Sequence, residues 1–449
     1  MPASQADPLV RALRQAALPL AGEADLDPLL RAIGDARYAL LGEASHGTHE
    51  FYAWRCAVTR RLVLEKQCAF IAVEGDWPDC YRLNRYVKGY PDSGTSARQA
   101  LAQFARWPAW MWANNETAAL AEWLRVHNMA LPESQRVGFY GLDVYSLWES
   151  MAAVVGYLES VDPALAEEAR RAYLCFEPYG GDPQAYARAA ALAPASCEDE
   201  AVAVLRALRE KAPRYAGDGP ESYHNAEQNA LVAQGAEKYY RAMLRGGPAS
   251  WNVRDHHMAD TLDRLMARHP PHCRCVVWEH NTHVGDARYT DMARSGMVNV
   301  GQLVRMRHAR GAGVHLTGFG TYSGTVMAGR RWGAPMRAMR VPPARSGSLE
   351  WLLHRTGGAH AGAGQPPDMM LVFDGSRDGG INGLDEAVDH RAIGVVYDPE
   401  TEHWGNYVPT LVPRRYDSFL FIDETRAVDA LHTPPLPDPD APETYPSGM

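Results

Sequence analysis

Short apolar runs recur along the chain, and each one ends in glycine or polar residues. They are apolar at successive positions, which is typical of strands buried on both faces of a parallel sheet. Between them, apolar residues return with helical spacing, as over residues 48–65, 116–129 and 147–158. This alternation predicts an α/β fold with a three-layer α/β/α core and a mostly parallel sheet. The apolar runs are residues 38–41, 70–73, 137–140, 275–278, 314–317, 369–373, 392–397 and 418–422.

The middle of the chain breaks the alternation. Residues 144–270 are rich in alanine and carry helical patterns, among them 201–211, 221–244 and 251–267. We interpret this region as a helical subdomain, a large addition to the core. Glycine-rich residues predict a flexible loop, and residues rich in Pro and Asp predict a disordered tail. The predicted units are an N-terminal core region of residues 1–143, a helical region of residues 144–270, a C-terminal core region of residues 271–433 with its loop at 356–366, and a tail of residues 434–449.

Composition and charge narrow the classes of function. The chain of 449 residues has 45 Lys and Arg against 54 Asp and Glu, so its net charge is −9. An acidic chain lacks the electrostatic footprint of a nucleic-acid binder and the polybasic surface that anionic lipid attracts. No apolar run approaches the ~20 residues that span a bilayer. We therefore expect a small-molecule partner, with neither a nucleic acid nor a membrane.

The cysteines indicate a reducing compartment. There are 7 of them, and no two have CxxC spacing. Free cysteines are commonly small buried residues, and disulfides are rare in the cytosol. Residues 16–22 follow Arg11 and Arg14, but acidic residues come soon after, so the stretch reads as the start of a first helix rather than a secretory signal. These features predict free, buried thiols in a cytoplasmic protein.

Polar residues cluster directly after the apolar runs. In open α/β sheets, ligands bind beyond the carboxyl ends of the strands, which meet at one edge. The sequence therefore predicts that carboxylates and imidazoles from separate strands converge on one site. The residues concerned are Glu43 and His46 after the first run, Glu74 after the second, Asp143 after the third, and Glu279, His280 and His283 after the fourth.

Two kinds of chemistry fit this cluster. His46 lies between Glu43 and Glu50, and a histidine held by a carboxylate is a usual general base near neutral pH. Alternatively, zinc or manganese would accept Glu43, Glu74, His280 and His283 as ligands, although HExxH and diagnostic ligand spacing are absent. A serine hydrolase is disfavoured because the chain has no GxSxG motif.

Further candidates surround the cluster. Trp107, Trp110 and Trp112 form an apolar surface that is either a plug in the core or one wall of a substrate cleft. Arg55, about two turns into the first predicted helix, is either a partner in a surface salt bridge or a clamp for a carboxylate or oxyanion. Polar groups for the substrate are predicted at Asn114, Tyr223 and Arg254.

An ordered set of motifs resembles the erythromycin esterase family, from about residue 35 to residue 430. The resemblance implies a mixed α/β/α core with helical additions. It also implies hydrolysis of a macrolide lactone with a histidine as general base, without a metal or another cofactor. The base matches His46, and the supporting residues match Glu43, Arg55, Glu74, His280 and His283. The motifs are Gly42-Glu43-Ala-Ser-His46-Gly47-Thr-His-Glu50, Arg55, Val73-Glu74-Gly75, Arg254-Asp255-x-x-Met258-Ala259, His280-Asn281-x-His283, Gly394-Val-Val-Tyr397 and Tyr416-Asp-Ser-Phe-Leu-Phe-Ile-Asp423.

The preferred interpretation is an esterase that acts on a cyclic or bulky ester. His46 takes a proton from water, and Glu43 fixes the tautomer of its ring. Arg55 or His283 stabilises the oxyanion, while Glu74 and His280 organise the water. Two alternatives remain at this stage: a metal-dependent hydrolase that uses the same residues as ligands, and a ligand-binding protein without turnover.

Overall fold

The computed structural model describes residues 3–179, 183–192, 196–215, 219, 221–243, 247–308, 313–357 and 368–431. Most of the predicted loop at 356–366 and all of the predicted tail at 434–449 lie outside these residues. Among the described residues, no helix is both long and apolar enough to cross a membrane.

A mixed, mostly parallel sheet organises the molecule. Within the described ranges it has nine strands in the order β1-β8-β11-β6-β2-β5-β3-β4, with β7 paired to β6. A separate antiparallel pair is formed by β9 and β10. The strands are β1 Leu18–Pro19, β2 Tyr38–Leu41, β3 Cys68–Asp76, β4 Gly138–Asp143, β5 Arg274–Trp278, β6 Val314–Ala328, β7 Arg337–Val341, β8 Met369–Val372, β9 Val388–Arg391, β10 Tyr407–Thr410 and β11 Ser418–Thr425.

The centre of the sheet is parallel. Strands β6, β2, β5, β3 and β4 all run in the same direction, and Leu41 of β2 lies opposite Trp278 of β5 and Thr317 of β6. The carboxyl ends of these strands therefore meet at one edge. The antiparallel pairs lie to one side of the centre, where β7 joins β6 and where β8 joins both β11 and β1.

Helices cover the sheet and extend beyond it. Those following β2 and β3 return the chain along the sheet, whereas α7–α12 follow one another between β4 and β5. The α-helices are α1 Ala3–Ala16, α2 Asp27–Ile33, α3 His49–Lys66, α4 Trp77–Val87, α5 Ala97–Leu101, α6 Asn115–Met129, α7 Leu147–Val161, α8 Pro163–Tyr173, α9 Pro183–Leu192, α10 Glu198–Glu210, α11 Ser222–Met243, α12 Ala249–Arg268, α13 Asn281–Val284, α14 Val300–His308, α15 Leu349–His354, α16 Glu402–Gly405 and α17 Val412–Arg415.

Both faces of the central strands are buried. Along β2, Leu41 packs into a cluster with Phe51 of α3, whereas Leu40 packs into a cluster with Met258 of α12 and Val304 of α14. Successive side chains of a strand point to opposite faces, so each short apolar run supplies two cores. The predicted α/β/α core with helical additions is confirmed.

The helical region has a core of its own, but its last helix belongs to the sheet. Tyr186 and Tyr239 are among the buried residues of this separate core. Helix α12, by contrast, packs Met258 and Leu262 against the strands. The division of the chain at residues 143 and 270 stays a prediction.

Two expectations were wrong. Residues 392–397 were expected to form a strand, but they make only isolated bridges, including Ser45 to Ile393, because the segment crosses the end of the sheet instead of joining it. Cys175 and Cys197 were expected to be free, but they form a disulfide that joins the end of α8 to the start of α10. Their separation of 22 residues gave no sign that the helical packing brings them together. The cytoplasmic location stays a prediction.

Candidate active site

Polar residues from several strand ends meet at the carboxyl edge of the sheet. Glu43 and His46 follow β2, Glu74 lies in β3, and Asp143 ends β4. All four side chains are buried. His46, Glu74 and Asp143 line a cavity of about 60 Å³.

Backbone contacts hold the loop between β2 and α3 in place. A Cβ atom on Gly47 would meet the carbonyl oxygen of Met327 at 2.1 Å, so only glycine fits beside β6. The N–H of Met327 donates to the carbonyl of Gly47 (2.9 Å). The N–H of Asn281, just after β5, donates to the carbonyl of Glu43 (2.8 Å). The loop that carries His46 is therefore fixed to both neighbouring strands.

The hydrogen bond with Glu43 determines the tautomer of His46. Nδ1 of His46 lies 3.0 Å from Oε1 of Glu43. A carboxylate only accepts hydrogen bonds, so the neutral ring carries its proton on Nδ1 and leaves a lone pair on Nε2. That nitrogen lies 4.0 Å from Oε1 of Glu74. The ring is thus set up to accept a proton beside a carboxylate.

Arg55 supports Glu43 from behind. Its Nη2 donates to Oε2 of Glu43 (2.6 Å), and its guanidinium lies over the rings of Tyr52 and Trp278, 4.4 and 4.7 Å from their centroids. The side chain is completely buried and does not line the cavity. Arg55 therefore holds the carboxylate of Glu43 in a buried ion pair, not in a surface salt bridge, and it is not placed to clamp an oxyanion in the cavity.

Arg254 is a cation that lines the cavity. It lies in the second turn of α12 and donates from Nε and Nη2 to Asp143 (3.0 and 2.8 Å), and from Nη2 to Glu74 (2.7 Å). Burial opposes its charge, but Asp143 and the other anionic neighbours raise the pKa of Arg254 well above its usual value. Arg254, predicted from the sequence as a polar group for the substrate, therefore lines the cavity while it pairs with carboxylates at the strand ends.

Glu74 is a charged carboxylate in the middle of the site. Oε1 accepts from Arg254, and Oε2 accepts from the backbone N–H of His280 (2.9 Å). Burial alone would raise the pKa of Glu74, but its interactions with His283, His46 and Arg254 outweigh burial and hold that pKa below its usual range. A negative charge therefore lies close to Nε2 of His46 at neutral pH.

His280 and His283, which follow β5, do not line the cavity. The ring of His280 lies 4.9 Å from that of His46, and burial lowers its pKa well below the usual value, so it is neutral. Nε2 of His283 accepts from Nη1 of Arg254 (2.9 Å), because arginine can only donate. Nδ1 of His283 then donates to Asp255 (2.9 Å). His280 is therefore placed to position His46, and His283 is placed to position Arg254.

The three predicted tryptophans have different surroundings. Trp112 lines the cavity and donates from Nε1 to the carbonyl of Glu74 (2.9 Å). Trp110 is completely buried in the core, as the alternative interpretation expected. Trp107 donates to the carbonyl of Ala334 and packs on Trp332, which does line the cavity.

Two predicted substrate-binding residues lie elsewhere. Asn114 is fully buried and caps α6 by accepting from the N–H of Thr117 (2.7 Å). Tyr223 packs beside Tyr215 in the helical core. The sequence interpretation missed several cavity residues. Asp76 could have been predicted, because it follows Glu74 by two positions at the end of the same strand. The missed residues are Asp76, Asp79, Phe104, Arg106, Tyr145, Trp332 and Val395.

Two of the alternative metal ligands are already bonded to a permanent cation. The guanidinium of Arg254 is hydrogen-bonded to Glu74 and His283, two of the residues proposed as ligands. In the described ranges of the chain, no three His, Cys, Asp or Glu residues are placed to hold a metal ion. Glu279 is also buried, and burial together with Glu74 raises its pKa well above the usual value, so this carboxyl group is neutral.

Solved structures share the fold of this chain. A protein described as a succinoglycan biosynthesis protein superimposes with a TM-score of 0.75 at 20% identity, over 96% of this chain and 100% of the other. A Bacillus cereus protein gives 0.75 at 18%, over 95% and 99%. A mutant of erythromycin esterase EreC in its open conformation gives 0.63 at 14%, over 93% and 96%.

The erythromycin esterase family model matches residues 63–425, which is most of the chain. The match begins after the loop that carries Glu43 and His46, so it does not include those two residues. On the extent of this match, the chain belongs to the erythromycin esterase family.

Proposed function

We propose that this hydrolase cleaves an ester or a macrocyclic lactone of a small molecule, with His46 as the base that activates water. The tautomer of His46 is the observation that supports this proposal most strongly. Glu43 fixes the proton on Nδ1, which leaves Nε2 as the acceptor at 4.0 Å from Glu74. That separation is too long for a direct hydrogen bond and short enough for one water to contact both groups.

The reaction follows from this arrangement. The water gives a proton to Nε2 of His46 while its oxygen attacks the carbonyl carbon of the ester. The imidazolium that forms is stabilised by the carboxylates of Glu43 and Glu74. When the tetrahedral intermediate collapses, His46 returns the proton to the departing alkoxide, and the products are an acid and an alcohol.

Arg254 is the residue best placed to stabilise the oxyanion. Among the described residues, four of its five N–H groups are engaged by Asp143, Glu74 and His283, which leaves one N–H on Nη1. The side chain lines the cavity, whereas Arg55 and His283 do not. A preorganised donor of this kind stabilises the transition state more than the substrate.

The cavity limits what enters it. At about 60 Å³ the cavity is small beside a macrocycle, so in this proposal it receives the reacting end of the substrate while the remainder lies outside it.

Hydrolysis is tested by mass spectrometry. Macrolides, other lactones and activated esters are incubated with the protein and screened for the gain of one water. His46→Asn should lower kcat by about 10²–10⁴-fold, the usual contribution of a positioned general base. His127→Asn is the matched control, because His127 lies on α6 stacked on Trp123, away from the cavity.

The outcomes separate the alternatives. Equal kcat for the two variants would remove His46 from its role as base. Turnover that disappears with chelation and returns with zinc or manganese would establish the metal-dependent alternative. Binding of these compounds without any product would establish a ligand-binding protein.

A further inference from the structure

A second pair of a histidine and a carboxylate lies close to the segment that follows β5. His390 of β9 and Glu350 of α15 are both completely buried, and neither lines the catalytic cavity. Nδ1 of His390 lies 2.5 Å from Oε1 of Glu350, and the same oxygen accepts from the backbone N–H of Arg391 (3.0 Å). The hydrolysis described above uses neither side chain.

Asn281 connects this pair to the sheet. Its Nδ2 donates to the carbonyl of Phe319 in β6 (2.7 Å) and also lies 3.1 Å from Nε2 of His390. Its Oδ1 accepts from the backbone N–H of Phe319 (3.2 Å). The two contacts with Phe319 determine which end of the amide is the nitrogen, because the opposite orientation would place a donor against a donor and an acceptor against an acceptor.

The tautomer of His390 follows from these contacts. Both N–H groups of the Asn281 amide are directed at acceptors, so Nε2 of His390 has to accept and carries no proton. The ring proton is then on Nδ1, which donates it to Glu350 in a hydrogen bond. Burial lowers the pKa of His390, which keeps the ring neutral. Glu350 therefore fixes the tautomer of His390.

The backbone at Asn281 holds two residues of the catalytic site. The N–H of Asn281 donates to the carbonyl of Glu43 (2.8 Å). The N–H of His280 donates to Oε2 of Glu74 (2.9 Å). A Cβ atom on Gly42 would meet Oδ1 of Asn281 at 2.1 Å, so the amide also lies directly against the chain that leads into Glu43. A displacement of residues 280–281 is therefore transmitted to both catalytic carboxylates.

We propose that His390 is a positioning residue for hydrolysis, because it accepts a hydrogen bond from Asn281 and is held by Glu350 in the tautomer that can accept. It acts on the reaction only through Asn281 and the backbone N–H groups of residues 280 and 281. This inference rests on the proposed function, because it concerns the same reaction. Misplacement by about 1 Å through a change far from the reacting bond lowers a rate by up to about 10²-fold.

His390→Leu removes the acceptor for Asn281, and its effect is measured with an activated butyrate ester. The two catalytic carboxylates should shift relative to His46, while the cavity wall that contacts the substrate stays in place. We therefore expect kcat to fall by about 10–100-fold and KM to change by less than about twofold.

His315→Leu is the matched control. His315 is also a buried histidine that makes a hydrogen bond through Nε2, in this case with Ser418 (3.0 Å). It lies at the start of β6, at the opposite end of the strand from the catalytic edge. The control should lower the thermal midpoint and leave kcat close to the wild-type value. An equal loss of kcat in the two leucine variants would overturn the positioning role.

Two further variants assign the effect to the hydrogen bond with Asn281. His390→Gln offers an amide oxygen to Asn281 and an amide N–H to Glu350, so its kcat should exceed that of His390→Leu by about tenfold. Asn281→Ala removes the group through which His390 acts, so adding His390→Leu to it should lower kcat no further. A glutamine variant as slow as the leucine variant, or additive losses in the double variant, would contradict the inference.

Nitrogen NMR keeps the test independent of catalysis. In protein labelled with ¹⁵N-histidine, the chemical shifts of the ring nitrogens distinguish those that carry a proton from those that accept one. The wild-type protein should show His390 protonated on Nδ1 and not on Nε2, with its signals assigned by their absence from His390→Gln. His390→Leu should change the ring signals of His46, which are assigned in the same way from His46→Asn, and His315→Leu should not.

The NMR outcomes separate the two proposals. If these signals behave as expected and no ester is hydrolysed, only the proposed function fails. A proton on Nε2 of His390 in the wild-type protein, or unchanged signals of His46 in His390→Leu, overturns the positioning role. The first of these measurements uses the wild-type ring and stands even if His390→Leu does not fold.

Discussion

Replacing Glu43 with glutamine should reverse the tautomer of His46. In the wild-type protein, Oε2 of Glu43 accepts from Arg55 and Oε1 accepts from Nδ1 of His46. Arg55 can only donate, so the amide oxygen of glutamine has to face it. The amide N–H₂ then faces Nδ1 of His46, which has to accept. The ring proton moves to Nε2, and the atom that should receive a proton from water is already protonated.

The expected loss is large. A catalytic histidine held in the wrong tautomer loses about 10⁴-fold in kcat in the well-studied serine protease triad. At 1.36 kcal/mol for each tenfold change, that corresponds to about 5 kcal/mol of barrier. We expect kcat of Glu43→Gln to fall by about 10³–10⁴-fold on any ester that the wild-type protein hydrolyses. The thermal unfolding midpoint should also fall, because the buried guanidinium of Arg55 keeps an acceptor but loses the negative charge that compensates it.

Glu43→Ala is the matched control, and compared with Glu43→Gln it should lose less activity and more stability. Alanine imposes no tautomer, so the folded protein should retain more activity than Glu43→Gln. It also leaves the guanidinium of Arg55, which is completely buried, without its partner. Breaking a buried ion pair in this way costs about 3–5 kcal/mol of stability. A Glu43→Gln variant with kcat within tenfold of the wild-type value, or with more activity than folded Glu43→Ala, would refute the reasoning.

Three further predictions concern the cavity. Trp112→Phe should raise KM more than Trp110→Phe, because only Trp112 of the two lines the cavity. Trp110→Phe should instead lower the thermal midpoint, because Trp110 is completely buried. Steady-state kinetics measure the first effect and circular dichroism measures the second. Burial and Asp76 raise the pKa of Asp79 to about 7 in the folded protein, so Asp79 contributes stability at acidic pH that is lost as the pH rises towards 7. Denaturant titrations should show this decrease in the wild-type protein and a smaller one in Asp79→Asn. Dialysis against a chelator should leave hydrolysis intact, because Arg254 is hydrogen-bonded to Glu74 and His283, two of the four candidate ligands, and a proportional loss of activity and zinc would contradict this.

Much of the fold could be predicted from local patterns. The runs 38–41 and 275–278 became β2 and β5 because both faces of these strands are buried, which requires apolar residues at successive positions. Residues 392–397 are similarly apolar but do not form a strand. Whether an extended apolar segment finds a neighbouring strand depends on the ends of the sheet, and no local signal carries that information.

The site could be predicted only as far as strand ends define it. Glu43, His46, Glu74 and Asp143 follow directly from the rule that the ends of parallel strands meet. Arg254 was identified as a polar residue, but its contact with Glu74 joins positions 180 residues apart on different elements. The tryptophans show a different limit. Residues 109–111 form one turn of 3₁₀ helix, so Trp110 and Trp112 point to different environments although they are two positions apart.

The central claim, that His46 activates water to attack the ester directly, is tested most directly by intact-protein mass spectrometry during the first turnover. The wild-type protein is mixed with an excess of an activated butyrate ester and quenched at millisecond intervals, while release of the alcohol is followed in parallel. Direct attack by water predicts an unmodified protein mass at every time and alcohol release that is linear from the start. A burst of alcohol of one equivalent, together with a butyryl adduct on Ser45 or on a cysteine, would contradict the claim.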